Sequence, residues 1–354
     1  MNCNTKTEST KGVLKRHYGK LAGAACLAVS AAMMAFSGSA HAQKKIELTF
    51  STYLPPSYEY IWKPLENFAK RVEEDSEGRV KINMFHSGQL YDGYEEMAAL
   101  SRGDIDLTSF NDLYASGALP ALNVFTMPFL FDDVKHVQAT VEKGILEIDL
   151  LQELHDKHDI VVIGTAPWEP YQFFMRDKPL KTADDFKGKI WATTGAIDAS
   201  AIQLLGGSPT NMSSADLYLS FDRGMIDGTP RPLLTGIGRS LDEVAEHLSI
   251  GNFGYAVTFL AVNRQKWESL PEDVQQILKN AAAERDREQV ERVERFVEEA
   301  IAKFESDGMQ VHYIDAENLA EMRARTVSAI EEWAASIPNG DQYLELIEQT
   351  RTSK

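Results

Sequence analysis

The segment from Ile46 to Ser109 alternates two hydrophobic periods, and that alternation restricts the fold more than any other feature of the chain. Ile46 to Ser51, Val80 to Phe85 and Ile105 to Ser109 are short apolar stretches that read as strands. Between the first two, apolar residues recur at Ile61, Leu65, Phe68, Ala69 and Val72, the one-face spacing of an amphipathic helix, and Glu77-Gly78 closes it. Gly93 to Ser101 reads as a second helix. Strand-helix-strand-helix-strand predicts a parallel or mixed sheet with right-handed crossovers, a doubly wound α/β lobe. In such sheets ligands sit beyond the carboxyl ends of strands. Asn111, just past the third strand, is therefore a candidate contact, with turn capping as its other reading.

At 354 residues the chain exceeds one ordinary core, so two lobes are expected. Helical patterning runs from Val134 to Lys157, and Ile160 to Gly164 reads as a strand. The aromatic, Pro-flanked stretch Thr165 to Phe174 then has few free dihedrals, and a first crossing between lobes is expected there. The second lobe opens with Lys178 to Gly195, KPLKTADDFKGKIWATTG: a helix start at Thr182-Ala183-Asp184-Asp185, a break at Gly188, and a strand carrying Trp191. Helix, strand and helix are expected at 198–205, 209–212 and 214–223. A strand and the return crossing fall at Tyr255 to Val262. From Leu270-Pro271 a helical pattern continues to about Asp307, roughly 50 Å at 1.5 Å per residue, long enough to brace both lobes. A last strand and two terminal helices follow.

Residues 1–42 read as a secretory leader: Lys11, Lys15, Arg16 and Lys20, an apolar run from Leu21 to Phe36, and Ala40-His41-Ala42 as the cleavage site. Both cysteines, Cys3 and Cys26, lie in it, so the exported chain has no disulfide and no thiolate ligand. The chain's 36 basic and 53 acidic residues include five and one in the leader, which leaves 31 against 52 and a formal charge of −21. Such a surface repels nucleic acid and anionic lipid. His155 and His158 read as a solvated helix end, and no metal or cofactor site is expected. The nucleotide, zinc-protease and serine-hydrolase motifs are missing, so an enzyme is the weaker expectation and a periplasmic catalyst the alternative from another class. An exported two-lobed chain that crosses between its lobes has the design of a hinge-closing ligand trap.

Several stretches resemble the solute-binding proteins of tripartite ATP-independent periplasmic (TRAP) transporters: FAKRVEEDSEGRVKINMFHSGQL (from Phe68), RGDIDL (from Arg102), MPFLF (from Met127), KPLKTADDFKGKI (from Lys178), LGGSPTNM (from Leu205), GMIDGTPRPL (from Gly224) and VNRQKWESLPEDVQQIL (from Val262). The resemblance implies a periplasmic binding protein-like α/β fold, two doubly wound lobes joined by crossing strands and a long bridging helix. It implies a small organic solute in the hinge cleft and membrane permease subunits as partners, with a monomer expected. Lobe boundaries are expected at 43–166 plus 255–290, and 167–254 plus 291–354.

The chain departs from the family's pattern at the ligand anchors. Trp191 stands where an arginine usually grips a carboxylate, and Gln172 falls near a second such position. Arg231 stands where an asparagine is usual. Two ligand readings follow. In one, Trp191, Trp168 and Tyr53 or Tyr58 form an aromatic box with Glu169 as counter-charge, suited to a small amine or amino alcohol. In the other, Arg231 anchors an organic acid, an aromatic one stacking on Trp191; with both arginines lost, a ligand other than a simple dicarboxylate is expected. Trp191 as plain core, and Trp168 and Tyr171 as packing at the crossing, are the competing structural readings.

Overall fold

The computed structural model describes residues 45–351, apart from the side chain of Glu294. The expected leader, its cleavage after Ala42 and both cysteines lie outside the described residues.

The chain begins β1 (Ile46–Ser51), α1 (Glu59–Asp75), β2 (Val80–Phe85), α2 (Glu96–Arg102), β3 (Leu107–Asn111) and a single turn, α3 (Asp112–Ala115). α1 buries Ile61, Leu65, Phe68 and Val72, the stripe that its spacing required. Helices α4 (Val134–Glu142) and α5 (Leu150–His158) then lead to β4 (Ile160–Pro167). The expected single helix over 134–157 is thus two. Gly144, at φ +100°, takes a backbone conformation that side-chain-bearing residues rarely adopt, and the chain turns there.

After Trp168-Glu169-Pro170 come β5 (Tyr171–Met175), β6 (Ile190–Thr193), α6 (Ala196–Leu204), β7 (Ser208–Asn211), α7 (Leu217–Asp222), β8 (Gly228–Pro232), α8 (Leu233–Gly238) and β9 (His247–Ile250). The chain returns through β10 (Val257–Asn263) and α9 (Arg264–Ser269). It then runs along α10 (Glu272–Ser306) to β11 (Gln310–Tyr313), α11 (Ala316–Ser336) and α12 (Gly340–Thr350).

Two sheets result. One has the order β2-β1-β3-β10-β4, the other β11-β9-β5-β8-β6-β7. β1 runs parallel to β2 and β3, while β10 returns antiparallel between β3 and β4. In the second sheet β5 is antiparallel to both β8 and β9, and β6 is parallel to β7 and β8. β5 and β8 were not expected as strands. β8 carries Pro230 and Pro232 in a strand with a neighbour on each side, where proline is normally excluded. It pairs with β6 only at Gly228, so both prolines fall past the end of that ladder.

The crossings between sheets are paired with one another. Trp168 N–H donates to the Ala256 carbonyl at 2.9 Å, Tyr171 N–H to Gly254 at 2.8 Å, and Phe253 N–H to Tyr171 at 2.9 Å. The third connection is α10, 35 residues in one piece, lying against α1 and β4 at one end and against α8 and β11 towards the other. The side chain of Gln172 fixes the return segment: its Oε1 accepts from Gly251 N at 2.8 Å and Asn252 N at 3.1 Å, and its Nε2 donates to Asn252 Oδ1 at 2.7 Å. Core residues cover both faces of the second sheet, with Phe173 and Trp191 on one side and Phe174 and Ala192 on the other.

Candidate ligand-binding site

The strand order sends the carboxyl ends of β1, β3, β6 and β8 to one place, and a cavity lies there. From the first sheet come Tyr53, beyond β1, and Asn111, Leu113 and Tyr114 at the end of β3 and in α3. The crossing supplies Trp168 and Tyr171. From the second sheet come Thr194, beyond β6, Ser214, and Arg231, Pro232 and Thr235 around the β8–α8 junction. The space among these side chains is about 270 Å³, part of it open to solvent, and about 20 Å³ of it can hold the centre of a water. With the side chains as they stand, one or two waters fill that room, so a larger guest needs the walls to part.

Arg231 is the charged group of the cavity wall. It is 3% exposed, its Nη1 donates to the Pro230 carbonyl at 2.8 Å, its Nη2 makes a long contact with the Met212 carbonyl at 3.4 Å, and its Nε finds no acceptor. Among the described residues no carboxylate lies within ion-pair distance of it. The nearby buried acids are committed to backbone. Asp198 accepts from the N–H groups of Thr194 (2.7 Å), Gly195 (2.8 Å) and Ala199 (3.1 Å); burial raises its pKa, and the Arg231 charge opposes that rise. Asp112 accepts from Leu113 and Val257, with its pKa pushed well up by burial. Burial likewise raises Tyr171 and Tyr114, again against Arg231, so both stay neutral hydroxyls.

Five of the nine expected contacts, Tyr53, Asn111, Trp168, Tyr171 and Arg231, come together on this wall. Asn111 also caps α3, its Oδ1 accepting from Leu113 N at 3.0 Å, as its turn-capping reading expected. The other four stand elsewhere. Trp191 is fully buried, stacked on Phe186 with ring centroids 4.6 Å apart, and edge-on to Phe173. Its indole is seated against Gly207 and Gly228, where a Cβ would fall 2.6 and 2.9 Å from the ring. Glu169 is also fully buried, accepting from the Tyr60 hydroxyl and, at 2.6 Å, from Leu234 N–H. Gln172 holds the return crossing. Tyr58 is in the core, donating to Thr235 Oγ1 at 3.2 Å and edge-on to Trp168. The expected aromatic box therefore does not assemble: two of its members, Trp191 and Glu169, belong to packing.

Leu113, Tyr114, Thr194, Ser214 and Thr235 were not expected. Thr194 follows β6 directly, so the carboxyl-end rule applies to it more closely than to Trp191, three residues upstream. Tyr114 stacks edge-on between Tyr53 (4.9 Å) and Tyr94 (4.7 Å), and its hydroxyl accepts from Ser214 N–H at 3.1 Å, a contact that joins the two halves.

Two α/β halves, joined by paired crossing segments and one bridging helix and enclosing a polar cavity at the strand ends of both, define a two-lobed ligand-capture protein. Sequence comparison gives the family. The chain matches the bacterial extracellular solute-binding proteins, family 7, over residues 50–336 and belongs to that family, the solute receptors of TRAP transporters. It is 28% identical over 274 residues to the C4-dicarboxylate-binding periplasmic protein DctP of Rhodobacter capsulatus, covering 76% of this chain and 79% of that one. Among solved structures, a TRAP solute-binding protein of Chromohalobacter salexigens with bound D-glucuronate superposes with a TM-score of 0.81 at 24% identity, over 86% of this chain and all of the other. DctP7 of Bordetella pertussis, which binds pyroglutamic acid, gives 0.81 at 19% identity over 85% and 99%. At that identity the two structures establish the fold. The family is one of receptors that work with membrane permease components, and its members are periplasmic proteins.

Proposed function

We propose that this receptor captures a small organic acid in the cavity, with Arg231 as the anion anchor, and hands it to its permease. The observation that carries this is the buried Arg231 guanidinium, which lines the cavity without a carboxylate partner. A cation removed from water costs several kcal/mol unless an anion meets it, and a carboxylate matches the guanidinium fork. The solutes named for the relatives, a C4-dicarboxylate, glucuronate and pyroglutamate, are all acids, which supports the class. An amine would bring a second cation to a wall with no acid on it. On this reading the leader is removed after Ala42, and the mature monomer opens and closes lobe I (43–166 and 255–290) on lobe II (167–254 and 291–354), with α10 spanning both.

A thermal-shift screen of the mature protein with acids, amines and sugars tests this. A ligand at a hundredfold excess over its Kd adds about 2.7 kcal/mol of stability, and carboxylates alone are expected to do so. Arg231→Ala should abolish the shift. Stabilisation by amines, or by acids irrespective of Arg231, would overturn the assignment.

A further inference from the structure

The cavity has a second unmatched donor. Trp168 is 2% exposed, lines the same cavity as Arg231, and its indole Nε1–H has no acceptor among protein atoms. Its main chain is not free to turn: Trp168 N–H is tied to the Ala256 carbonyl, the next residue is the doubly bonded Glu169, and Pro170 follows. Tyr58 packs edge-on against the ring with centroids 6.2 Å apart. The indole is therefore held in one orientation by backbone and neighbour. Asn111, on the same wall, accepts with its Oδ1 from Leu113 N and carries an amide N–H₂ that can donate. Against these donors the cavity wall offers no carboxylate, and Asp112 and Asp198 are spent on backbone N–H groups. Trp168 Nε1–H is thus a buried donor beyond those that one carboxylate on Arg231 would meet.

We infer that the ligand is an oxygen-substituted carboxylic acid, an oxo or hydroxy acid, whose second oxygen accepts the hydrogen bond of Trp168 Nε1–H while its carboxylate lies on Arg231. Trp168 is then a specificity-determining residue. A buried donor left unpaired costs about 1–3 kcal/mol. A site built around such a donor rejects the analogue that lacks the matching oxygen far more strongly than an apolar pocket rejects a missing methylene. This inference rests on the organic-acid reading of the site and narrows it. It also gives Trp168 the opposite role from the one an aromatic box assigns: the edge of the indole is used, not its face.

The experiment uses matched acids on the mature protein: pyruvate and lactate against propionate, and levulinate against valerate, so that the extra oxygen is placed next to the carboxylate or further along the chain. In at least one set the oxygenated acid should bind at least tenfold tighter by calorimetry. Trp168→Phe keeps an aromatic ring and removes the N–H; it should erase that preference, weakening the oxygenated acid more than the unsubstituted one. In the wild-type protein, labelled at nitrogen, the Trp168 indole resonance should move with the oxygenated acid and stay in place with the plain one, a readout that does not depend on the variant folding. Equal affinities within every set, a preference that survives Trp168→Phe, or an equal loss for both members would overturn the inference while leaving Arg231 as anchor. A wild-type protein that takes none of these acids would instead overturn the organic-acid reading, and this one with it.

Discussion

The hydroxyl of Tyr94, in the loop before α2, lies 3.1 Å from the main-chain carbonyl oxygen of Thr194, beyond the end of β6 in the other half of the molecule. Asn211 Oδ1 stands 3.0 Å from the same hydroxyl. With Tyr114 accepting from Ser214 N–H, two neighbouring tyrosines of the first lobe thus bond to the second.

Tyr94→Phe removes the hydroxyl and keeps the ring on Tyr114. Tyr94 is 38% exposed, so its bond belongs to the weaker part of the range of about 0.5–1.5 kcal/mol. We expect a rise in Kd of about two- to fivefold for whichever carboxylate binds, carried by faster release, with the melting temperature of the free protein nearly unchanged. Stopped-flow displacement measures the release rate; an unaltered rate would mean that the hydroxyl does not hold the closed form.

Arg231→Met has two consequences of opposite sign. It removes the anchor, so binding of acids is lost. It also removes a buried cation that has no carboxylate partner and whose desolvation costs the ligand-free protein several kcal/mol. Melting of the ligand-free variant at or above the wild-type temperature is the expected outcome. A large fall would mean that Arg231 is a structural residue.

What could be read from the chain follows its periodicities. The amphipathic stripe of α1 and the pattern of α10, expected to end near Asp307 and ending at Ser306, survive because a helical face repeats over many turns and single errors average out. β6 has only four residues, and successive side chains in a strand point to opposite faces, so which of them meets the cleft turns on local detail that a pattern does not carry. Trp191 and Thr194 show this: they lie three residues apart at one strand end, and Thr194 lines the cavity while Trp191 is packed in the core. β8 was hidden by its prolines, whose tolerance depends on where the neighbouring ladder stops. Arg231 stood out because it occupies a position where the family usually has an asparagine. That its guanidinium is left without an acid is a matter of tertiary structure.

Trp191→Ala should act on stability. The indole is wedged between Phe186, Phe173, Gly207 and Gly228, and truncating a fully buried Trp costs about 3–5 kcal/mol through lost burial and the cavity left behind. Denaturant titration is expected to show that loss, with acid affinity in the folded fraction close to wild type. A tenfold loss of affinity at unchanged stability would return Trp191 to the site.

Glu169 provides a test by pH. It joins the crossing segment to α1 through Tyr60 and to α8 through Leu234 N–H, and burial pushes its carboxyl up to about 7, although both hydrogen bonds pull it down. The folded protein therefore keeps a proton here over a range, from the ordinary glutamate value near 4.5 to about 7, in which the unfolded chain has lost it. Stability from this group is fully present below that range and declines as pH rises through it. At 1.36 kcal/mol per unit the full decline amounts to about 3 kcal/mol, most of it above pH 5. Glu169→Gln has nearly the shape of the protonated acid and does not titrate. Wild type and variant should match in stability near pH 5, and the wild type should fall behind by about 2–3 kcal/mol at pH 8. Other buried acids with raised pKa, such as Glu96 and Asp112, are common to both proteins and cancel in the difference. A difference between the two that stays constant from pH 5 to 8 would mean that Glu169 remains ionised throughout, with Tyr60 and Leu234 compensating its burial in full.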